Sequence, residues 1–437
     1  MNKRDSDAVA AQLVAKGYSM ASDPLKADVV LLNTCSVRDS AEQKAIGKMS
    51  HVASQLKSRN KKAVLGFMGC MAQSRGKELI DKLPDVDLVI GTQKFHRAAD
   101  HIGEALSGRA AAVVDIEEEE GSEATIREHL LDGVGVNKSI TSFVSIMQGC
   151  NQFCTFCIVP FTRGRERSRP IESIVNEIQD GVSHGFVEFT LLGQNVNSYS
   201  TPNGKFPELL DRVASIDGVK RLRFSSPHPQ DVDDEMLEVM SSYDNICNHV
   251  HLPLQSGNDR ILNRMNRSYT SNDFLSLSDK IREYMPGCSI TTDVIVGFPG
   301  ETEEEFEDTL NVARKVGFNF AFMFKYSSRP GTKASEYTDQ IPEAIKQNRL
   351  ERLIDVQLKN TLKQNQNLIG ETIKVLVEKE SKKSKDQWAG RTEGNMWVVF
   401  DKGNESIGDL IDVKIEDARG VTLFGTNTNR EYRYEVA

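Results

Sequence analysis

Residues 149–157 read Gly149-Cys150-Asn151-Gln152-Phe153-Cys154-Thr155-Phe156-Cys157, and this segment decides how the rest of the chain is interpreted. Three residues separate the first two cysteines and two separate the second pair. Thiolates are soft ligands, and three of them on one loop can hold three irons of an iron–sulfur cluster. Because no fourth cysteine follows closely, one iron would stay open for a small chelating molecule.

This spacing resembles the signature of radical S-adenosylmethionine (SAM) enzymes, in which an aromatic residue precedes the third cysteine. Phe156 occupies that position. The resemblance implies a [4Fe-4S] cluster on Cys150, Cys154 and Cys157, with SAM bound at the open iron. A zinc site is the alternative, but zinc usually takes a fourth Cys or His at short range, and the next histidine is His184.

Length and charge limit the class of protein. With 437 residues and a net charge of −9, the chain has room for about three domains. The sequence has no apolar run long enough to span a bilayer and no signal peptide at its start, so we expect a cytoplasmic protein. Seven cysteines without a secretion signal favour metal binding over disulfides. The negative charge argues against indiscriminate nucleic-acid binding, so any RNA contact must come from a local basic patch.

Residues 1–109 form a predicted amino-terminal domain, in which alternating helices and strands indicate a parallel sheet covered by helices. Cys35 lies just after the first predicted strand, and Cys70 lies just after the second. The carboxyl ends of parallel strands form the functional crevice of such sheets, so the two thiols are expected to meet there. From spacing alone, a shared metal site and two ordinary buried cysteines are equally open interpretations.

A more specific resemblance comes from three segments together: Asn33-Thr-Cys-Ser-Val-Arg-Asp-Ser-Ala-Glu-Gln-Lys44, Gly69-Cys-Met-Ala-Gln73 and the Cys150 motif. They resemble the methylthiotransferase family of radical enzymes. That resemblance implies a second [4Fe-4S] cluster on three amino-terminal cysteines, two of which map onto Cys35 and Cys70. The third belongs to a Gly-Cys-Gln-Met-Asn segment in the family. Because this chain opens with Met1-Asn2, the third ligand is expected upstream of Met1.

Residues 110–137 are predicted to be a linker, and residues 138–366 the radical SAM core. About six strand–helix units in the core indicate a partial (β/α)6 barrel, with its chemistry at the carboxyl ends of the strands. Within the resemblance, polar and glycine-containing segments at those ends would contact SAM, although ordinary turns are the alternative. These candidate cofactor-binding residues are Phe156, Gly193, Gln194, Gln255, Ser256 and Asp293.

Two basic segments are candidates for RNA binding. Arg163, Arg165, Arg167 and Arg169 directly follow the cysteine loop, and their planar donors suit phosphates, although structural salt bridges are the alternative.

Residues 367–437 are predicted to form a small antiparallel β-barrel that resembles the TRAM domain, an RNA-binding module. Lys382, Lys383 and Trp388 are its candidate phosphate and base contacts, and a merely structural or peptide-binding barrel is the alternative.

The resemblance implies an enzyme that adds a methylthio group to carbon 2 of an isopentenylated adenine beside the tRNA anticodon. A radical formed from SAM would remove the hydrogen, and a methylated sulfur at the second cluster would replace it. Expected partners are the anticodon stem-loop, an electron donor such as a flavodoxin or ferredoxin, and a sulfur or cluster supplier, without a membrane.

Three other functions remain open. Sister branches of the family act on threonylcarbamoyladenosine in tRNA or on an aspartate of a ribosomal protein. Ser36-Val37-Arg38 and the basic segment favour the isopentenyl branch. A non-catalytic, zinc-stabilised RNA-binding protein is the alternative from another class.

Overall fold

The structure, a computed structural model, describes residues 1–36, 39–108, 112–117, 119 and 139–428. Its first unit consists of α1 (Asn2–Ala15), β1 (Val29–Asn33), α2 (Asp39–Ser58), β2 (Val64–Met68), α3 (Cys70–Arg75), α4 (Glu78–Lys82), β3 (Leu88–Ile90), α5 (Ala98–Leu106) and β4 (Val113–Asp115). The strands form one sheet in the order β1-β2-β3-β4, with every neighbouring pair parallel. Apolar residues of α2 cover one face of this sheet, and those of α1 and α5 cover the other. The predicted parallel α/β fold is confirmed.

The predicted linker begins too early. Val113–Asp115 pairs with β3 as the fourth strand of the sheet, because two consecutive valines extend the parallel ladder at its edge. Three residues are too few to show a strand periodicity, so the sequence pattern missed them. Apart from residues 112–117 and 119, the predicted linker lies outside the described residues, as do Val37 and Arg38.

The central unit contains two kinds of element. Its strands are β5 (Thr141–Ser145), β6 (Met147–Gln148), β7 (Arg167–Ser168), β8 (Glu188–Leu192), β9 (Ser200–Thr201), β10 (Gly204–Lys205), β11 (Arg221–Phe224), β12 (His249–His251), β13 (Ser289–Val296) and β14 (Phe320–Lys325). Its helices are α6 (Val159–Arg163), α7 (Ile171–Ser183), α8 (Phe206–Ala214), α9 (Asp234–Ser242), α10 (Asp259–Arg264), α11 (Ser271–Tyr284), α12 (Glu303–Val316) and α13 (Glu343–Gln366).

Six of these strands run parallel in two sheets, in the orders β11-β8-β5 and β12-β13-β14. A parallel bridge between Leu222 and Ile246 joins the sheets, so that β5 and β14 are the two outer strands. The apolar residues on the helix side of both sheets form the largest core cluster. The predicted six-stranded partial barrel is confirmed, and it leaves one side open between β5 and β14.

The carboxyl-terminal unit is a closed five-stranded barrel of β15 (Thr372–Glu380), β16 (Gln387–Thr392), β17 (Trp397–Asp401), β18 (Leu410–Arg419) and β19 (Thr422–Asn427). The barrel was predicted to be antiparallel, and all its pairs are so except β17 with β19, which is parallel. Strand direction cannot alternate around a ring of five, so one parallel pair is a geometric necessity. The last nine residues of the predicted domain, 429–437, lie outside the described part of the chain.

Buried arginines fix the carboxyl-terminal barrel to the amino ends of the core strands. Arg221 donates to the carbonyl oxygen of Arg391 at 2.5 Å, and Arg223 donates to that of Thr392 at 2.7 Å. In return, the Arg391 guanidinium lies 2.7 Å from a carboxylate oxygen of Glu188, the first residue of β8. The barrel therefore packs against the end of the core opposite to the carboxyl ends of the strands.

Cys247 and Cys288 are buried in the central unit. No helix in the described ranges combines the length and the apolarity that crossing a membrane would require.

Candidate active site and cofactor residues

The cysteine loop follows β6 and leads into α6. Gly149 begins it with a φ of +83°, and a Cβ atom there would lie 1.9 Å from the carbonyl oxygen of Arg165. Only glycine fits such a left-handed, crowded position without displacing backbone. The Gly149 amide donates to Oε1 of Gln194 at 2.6 Å, so a residue predicted to contact SAM also holds the start of the loop.

A segment after α10 anchors the middle of the loop. Asn266 donates from Nδ2 to the carbonyl oxygens of Gln152 and Phe153, at 2.9 and 3.1 Å. The Thr155 amide donates to the carbonyl oxygen of Met265 at 3.0 Å. Sequence reasoning missed this segment, although Asn266, which has a positive φ, belongs to the residue type that most often adopts that conformation.

One cation lies at the thiols. Arg267, which is half-buried, places Nη1 3.5 Å from Sγ of Cys154, and it also donates to the hydroxyl of Tyr269 at 3.2 Å. Burial, together with the neighbouring Cys154 thiol, raises the pKa of Cys150 to about 11 and that of Cys157 to about 12. The positive charge of Arg267 partly opposes this rise in both pKa values.

The donor set fits a [4Fe-4S] cluster better than it fits a zinc ion. Within the described ranges, no three His, Cys, Asp or Glu side chains are already arranged to hold a metal ion, the three thiols of this loop included. Three thiols on one anchored loop, with no Cys or His following at short range and the half-buried Arg267 guanidinium beside Cys154, suit three-cysteine ligation of an iron–sulfur cluster better than the four ligands of a zinc site.

Cys35 and Cys70 lie at the same edge of the first sheet, as predicted. β1 and β2 pair in register up to Asn33 and Met68, so the residues after each strand are neighbours. The Met71 amide donates to the carbonyl oxygen of Thr34 at 3.3 Å, which holds the two strand ends together.

The short helix α6 connects the two cysteine sites. It begins two residues after Cys157 and ends at Arg163, whose Nε lies 3.4 Å from Sγ of Cys70. Arg163 is buried and also donates to the carboxylate of Asp5 at 2.7 Å. At 1.5 Å per residue, the helix itself spans only about 6 Å. The loop of Cys150, Cys154 and Cys157 is therefore linked to Cys70 through one short helix.

Replacing Arg163 with Met is expected to destabilise the protein by about 3 to 5 kcal/mol, because it leaves the Asp5 carboxylate buried without its partner. Chemical unfolding of the apoprotein measures this. Arg165→Met is the matched control, since Arg165 is exposed above the Phe153 ring, and it should cost less than about 1 kcal/mol. Equal losses from the two substitutions would contradict a structural role for Arg163.

The other predicted SAM contacts occupy different environments. Phe156 is half-buried, with its ring centroid 6.5 Å from that of Phe298. Gly193 is buried below the loop, where an added Cβ would lie 2.7 Å from Cγ of Met147. Asp293 is partly exposed on β13, where a carboxylate oxygen lies 3.3 Å from Nε2 of His251.

Gln255 and Ser256 precede α10. Gln255 is buried in a left-handed conformation, with a φ of 65°, and its amide donates to the carbonyl oxygen of Asp293 at 2.8 Å. Ser256 is completely buried, and its hydroxyl lies 3.4 Å from that of Thr309. This burial argues against the predicted contact between the Ser256 side chain and SAM.

Two of the four predicted RNA-binding arginines are interior residues. Arg163 is buried and donates to the carboxylate of Asp5. Arg169 is buried, with a guanidinium nitrogen 2.6 Å from a carboxylate oxygen of Glu177. The prediction of RNA contact is therefore wrong for both, because buried carboxylates from other elements pair with them. Arg165 is exposed and Arg167 is half-buried.

In the carboxyl-terminal barrel, Lys382 and Lys383 are exposed between β15 and β16. Trp388 packs against the barrel core, and the Lys402 ammonium lies 4.2 Å from its ring centroid. A base can stack on that face only if Lys402 moves, so the lysines are the better candidates for RNA contact.

Comparison with known proteins agrees with this three-unit organisation. The family model of the radical SAM superfamily matches residues 144–313. The model of the uncharacterized protein family UPF0004 matches residues 1–91, and that of the TRAM domain matches residues 366–427. A solved radical SAM methyltransferase, TsrM from Kitasatospora setae, superposes with a TM-score of 0.58 at 14% identity, covering 77% of this chain and 71% of that one. This similarity concerns the fold alone.

Curated relatives are similar over almost the whole chain. The tRNA-2-methylthio-N(6)-dimethylallyladenosine synthase of Parabacteroides distasonis is 47% identical over 430 residues, covering 97% of this chain and 93% of the relative. That of Opitutus terrae is 44% identical over 456 residues, covering 97% and 95%. The chain therefore belongs to the family of tRNA-2-methylthio-N6-dimethylallyladenosine synthases, radical SAM enzymes with UPF0004 and TRAM domains.

Proposed function

We propose that this protein adds a methylthio group to carbon 2 of N6-isopentenyladenosine beside the anticodon of tRNA, by radical SAM chemistry. The observation that carries the proposal is the placement of the two cysteine sites at the two ends of α6. Hydrogen removal and sulfur insertion act on one carbon atom, so the two sites must reach the same base. The base has to leave its loop to enter between them, as target bases do in enzymes that modify nucleic acids.

Cys150, Cys154 and Cys157 would hold the first cluster, which supplies an electron for cleaving SAM at its open iron. The protein contributes a fixed and shielded environment. Gln194 and the segment at Asn266 hold the loop in place. By its positive charge, the Arg267 guanidinium, 3.5 Å from Sγ of Cys154, would favour the reduced state of the cluster.

Cys35 and Cys70 would hold the second cluster, which carries the sulfur to be transferred. The amino-terminal residues lie at the same edge of the sheet, since Asn33 donates from Nδ2 to the carbonyl oxygen of Asn2 at 2.8 Å. Iron and sulfide counting on the reconstituted protein tests whether a second cluster is bound.

Two further partners belong to the proposal. Cleavage of SAM consumes one electron per turnover, which a flavodoxin or ferredoxin would deliver. Each transferred sulfur must also be replaced by a sulfur or cluster supplier.

RNA would be held partly by the exposed cations Arg165, Lys382 and Lys383 and by the half-buried Arg167. Replacing both lysines with Gln is expected to reduce the slope of log Kd against log salt by about 1.4 to 1.8, because each phosphate contact contributes about 0.7 to 0.9. Fluorescence anisotropy with an anticodon stem-loop measures this. Lys57→Gln with Lys62→Gln, exposed at the opposite end of the first sheet, is the control, and equal slopes for the two double variants would exclude the lysine contact.

The deciding experiment is anaerobic incubation of reconstituted protein, reductant and SAM with separate substrates, followed by mass spectrometry. A methylthio increment on isopentenylated RNA alone is the expected result. An increment on threonylcarbamoylated RNA or on the ribosomal-protein peptide would assign the chain to a sister branch. A colourless, zinc-containing protein would indicate the non-catalytic alternative.

A further inference from the structure

The face of β12, β13 and β14 that points away from the helices carries unusual side chains. Ile290 and Val294 of β13 are buried in the core cluster on the helix side. Because side chains alternate along a strand, Thr291 and Asp293 point to the opposite face. The parallel register places Phe320 beside Thr291 and Phe322 beside Asp293, so these four residues share the inner face of the partial barrel.

Two phenylalanines on this inner face are open to solvent. Phe320 is 39% exposed and Phe322 is 48% exposed, and their ring centroids lie 5.1 Å apart in an edge-to-face arrangement. The ring of His251 lies 5.9 Å from that of Phe322. Phe320 and Phe322 belong to β14, the outer strand beside the open side of the barrel. An exposed aromatic pair inside a concave site marks a place where a ligand buries apolar surface.

This aromatic pair lies close below the cysteine loop. Ile295 and Phe156 pack against the same apolar cluster around Phe298, so the loop covers the carboxyl end of the inner face. Phe322 pairs with Asp293, two positions before Ile295 on β13. At about 3.3 Å per residue, Phe322 therefore lies roughly 7 Å along the strand direction from Ile295, which packs against the same cluster as Phe156.

The neighbouring polar groups restrict what the pair can accept. The Asp293 carboxylate lies beside Phe322 in the register and 3.3 Å from Nε2 of His251. Nδ1 of His251 lies 3.0 Å from the hydroxyl of Thr291. The side chains of Asp293, His251 and Thr291 offer hydrogen bonds to the polar edge of a base. The negative charge of the Asp293 carboxylate repels an anionic substituent. An apolar substituent suits the phenylalanines, whereas threonylcarbamoyl, which ends in a carboxylate, does not.

We propose that Phe320 and Phe322 form the subsite for the branched five-carbon substituent on N6 of the substrate adenine, and so select the isopentenylated nucleoside. The inference rests on the proposed function and adds the residues that determine its specificity. One methylene group gained or lost in an apolar pocket changes discrimination by roughly 10- to 200-fold, so loss of apolar contact with this substituent is expected to reduce discrimination by at least about tenfold.

The test compares binding of three anticodon stem-loops, carrying unmodified, isopentenylated or threonylcarbamoylated adenosine, to reconstituted protein with SAM. Wild-type protein should prefer the isopentenylated RNA over both others. Phe322→Ser and Phe320→Ser should each abolish most of that preference while leaving affinity for unmodified RNA within about twofold. Phe322→Leu keeps an apolar side chain and should retain most of the preference. Leu358→Ser, which removes an exposed apolar side chain of α13, is the control.

Either of two results overturns the subsite: an unchanged preference in both serine variants, or equal binding of the threonylcarbamoylated RNA by wild-type protein. SAM cleavage without RNA reports that each variant is folded and loaded. Failure of the proposed function is distinguishable, because it appears as the absence of methylthio product on isopentenylated RNA from wild-type protein, whatever the binding preference.

Discussion

Replacement of Cys154 with Ala is expected to reduce cleavage of SAM by more than about a hundredfold. Loss of a partner outside the ligand shell already costs up to that factor in metal-site affinity or activity, and this substitution removes a ligand itself. It also leaves the Arg267 guanidinium without the Cys154 sulfur that it faces at 3.5 Å. Anaerobic reconstitution followed by quantification of 5′-deoxyadenosine measures the effect.

Cys247→Ala is the matched control for this prediction. It also removes a buried sulfur, but from the core, where no other candidate ligand was predicted. Cleavage should remain within a fewfold of wild type. Undiminished cleavage by Cys154→Ala would show that the cluster is not held by this loop.

The second large effect is expected for Cys35→Ala. The variant should retain cleavage of SAM and lose methylthio product, with iron content falling by about half, as expected when one of two four-iron clusters is lost. The reason is that Cys35 and Cys70 lie at the edge of the first sheet, whereas Cys150, Cys154 and Cys157, the proposed ligands of the first cluster, lie on a loop of the central unit. Product analysis, iron counting and electron paramagnetic resonance on one preparation separate the two functions.

Cys288→Ala is the control for the second effect, because its thiol is buried among core residues. This control should keep both iron content and methylthio product. Continued methylthiolation by Cys35→Ala would remove Cys35 from the sulfur-transfer site. Loss of SAM cleavage in the same variant would contradict the separation of the two sites.

The fold was largely predictable because most of its elements have strong local patterns. The core strands are short apolar runs between amphipathic helices, and both the parallel sheet and the six-stranded barrel follow from that alternation. The strand Val113–Asp115 was missed because its pairing with β3, not its own sequence, makes it a strand. The parallel pair of β17 and β19 follows from closure of the ring, which no single segment specifies.

The candidate site also contains residues that the sequence indicates locally and residues that it does not. Cys150, Cys154 and Cys157 became candidates because their spacing is local, and the position of Cys35 and Cys70 at one edge of the sheet followed from equivalent positions after two parallel strands. Arg267 was missed because it reaches Cys154 across 113 positions of the chain. A contact of that kind leaves no periodic signal in the sequence.

The sequence by itself determined the fold class, the family resemblance and the cysteine loop, since these depend on residues near one another in the chain. Only the tertiary structure decided which polar and aromatic side chains are available. In the sequence, Arg163 resembles a surface arginine, but in the structure it pairs with Asp5 of α1, which is 158 positions away. Phe320 and Phe322 have the alternation of buried strand residues, but they are exposed because β14 is the outer strand of an open barrel. Burial is a property of what packs against a residue, and that partner is distant in sequence.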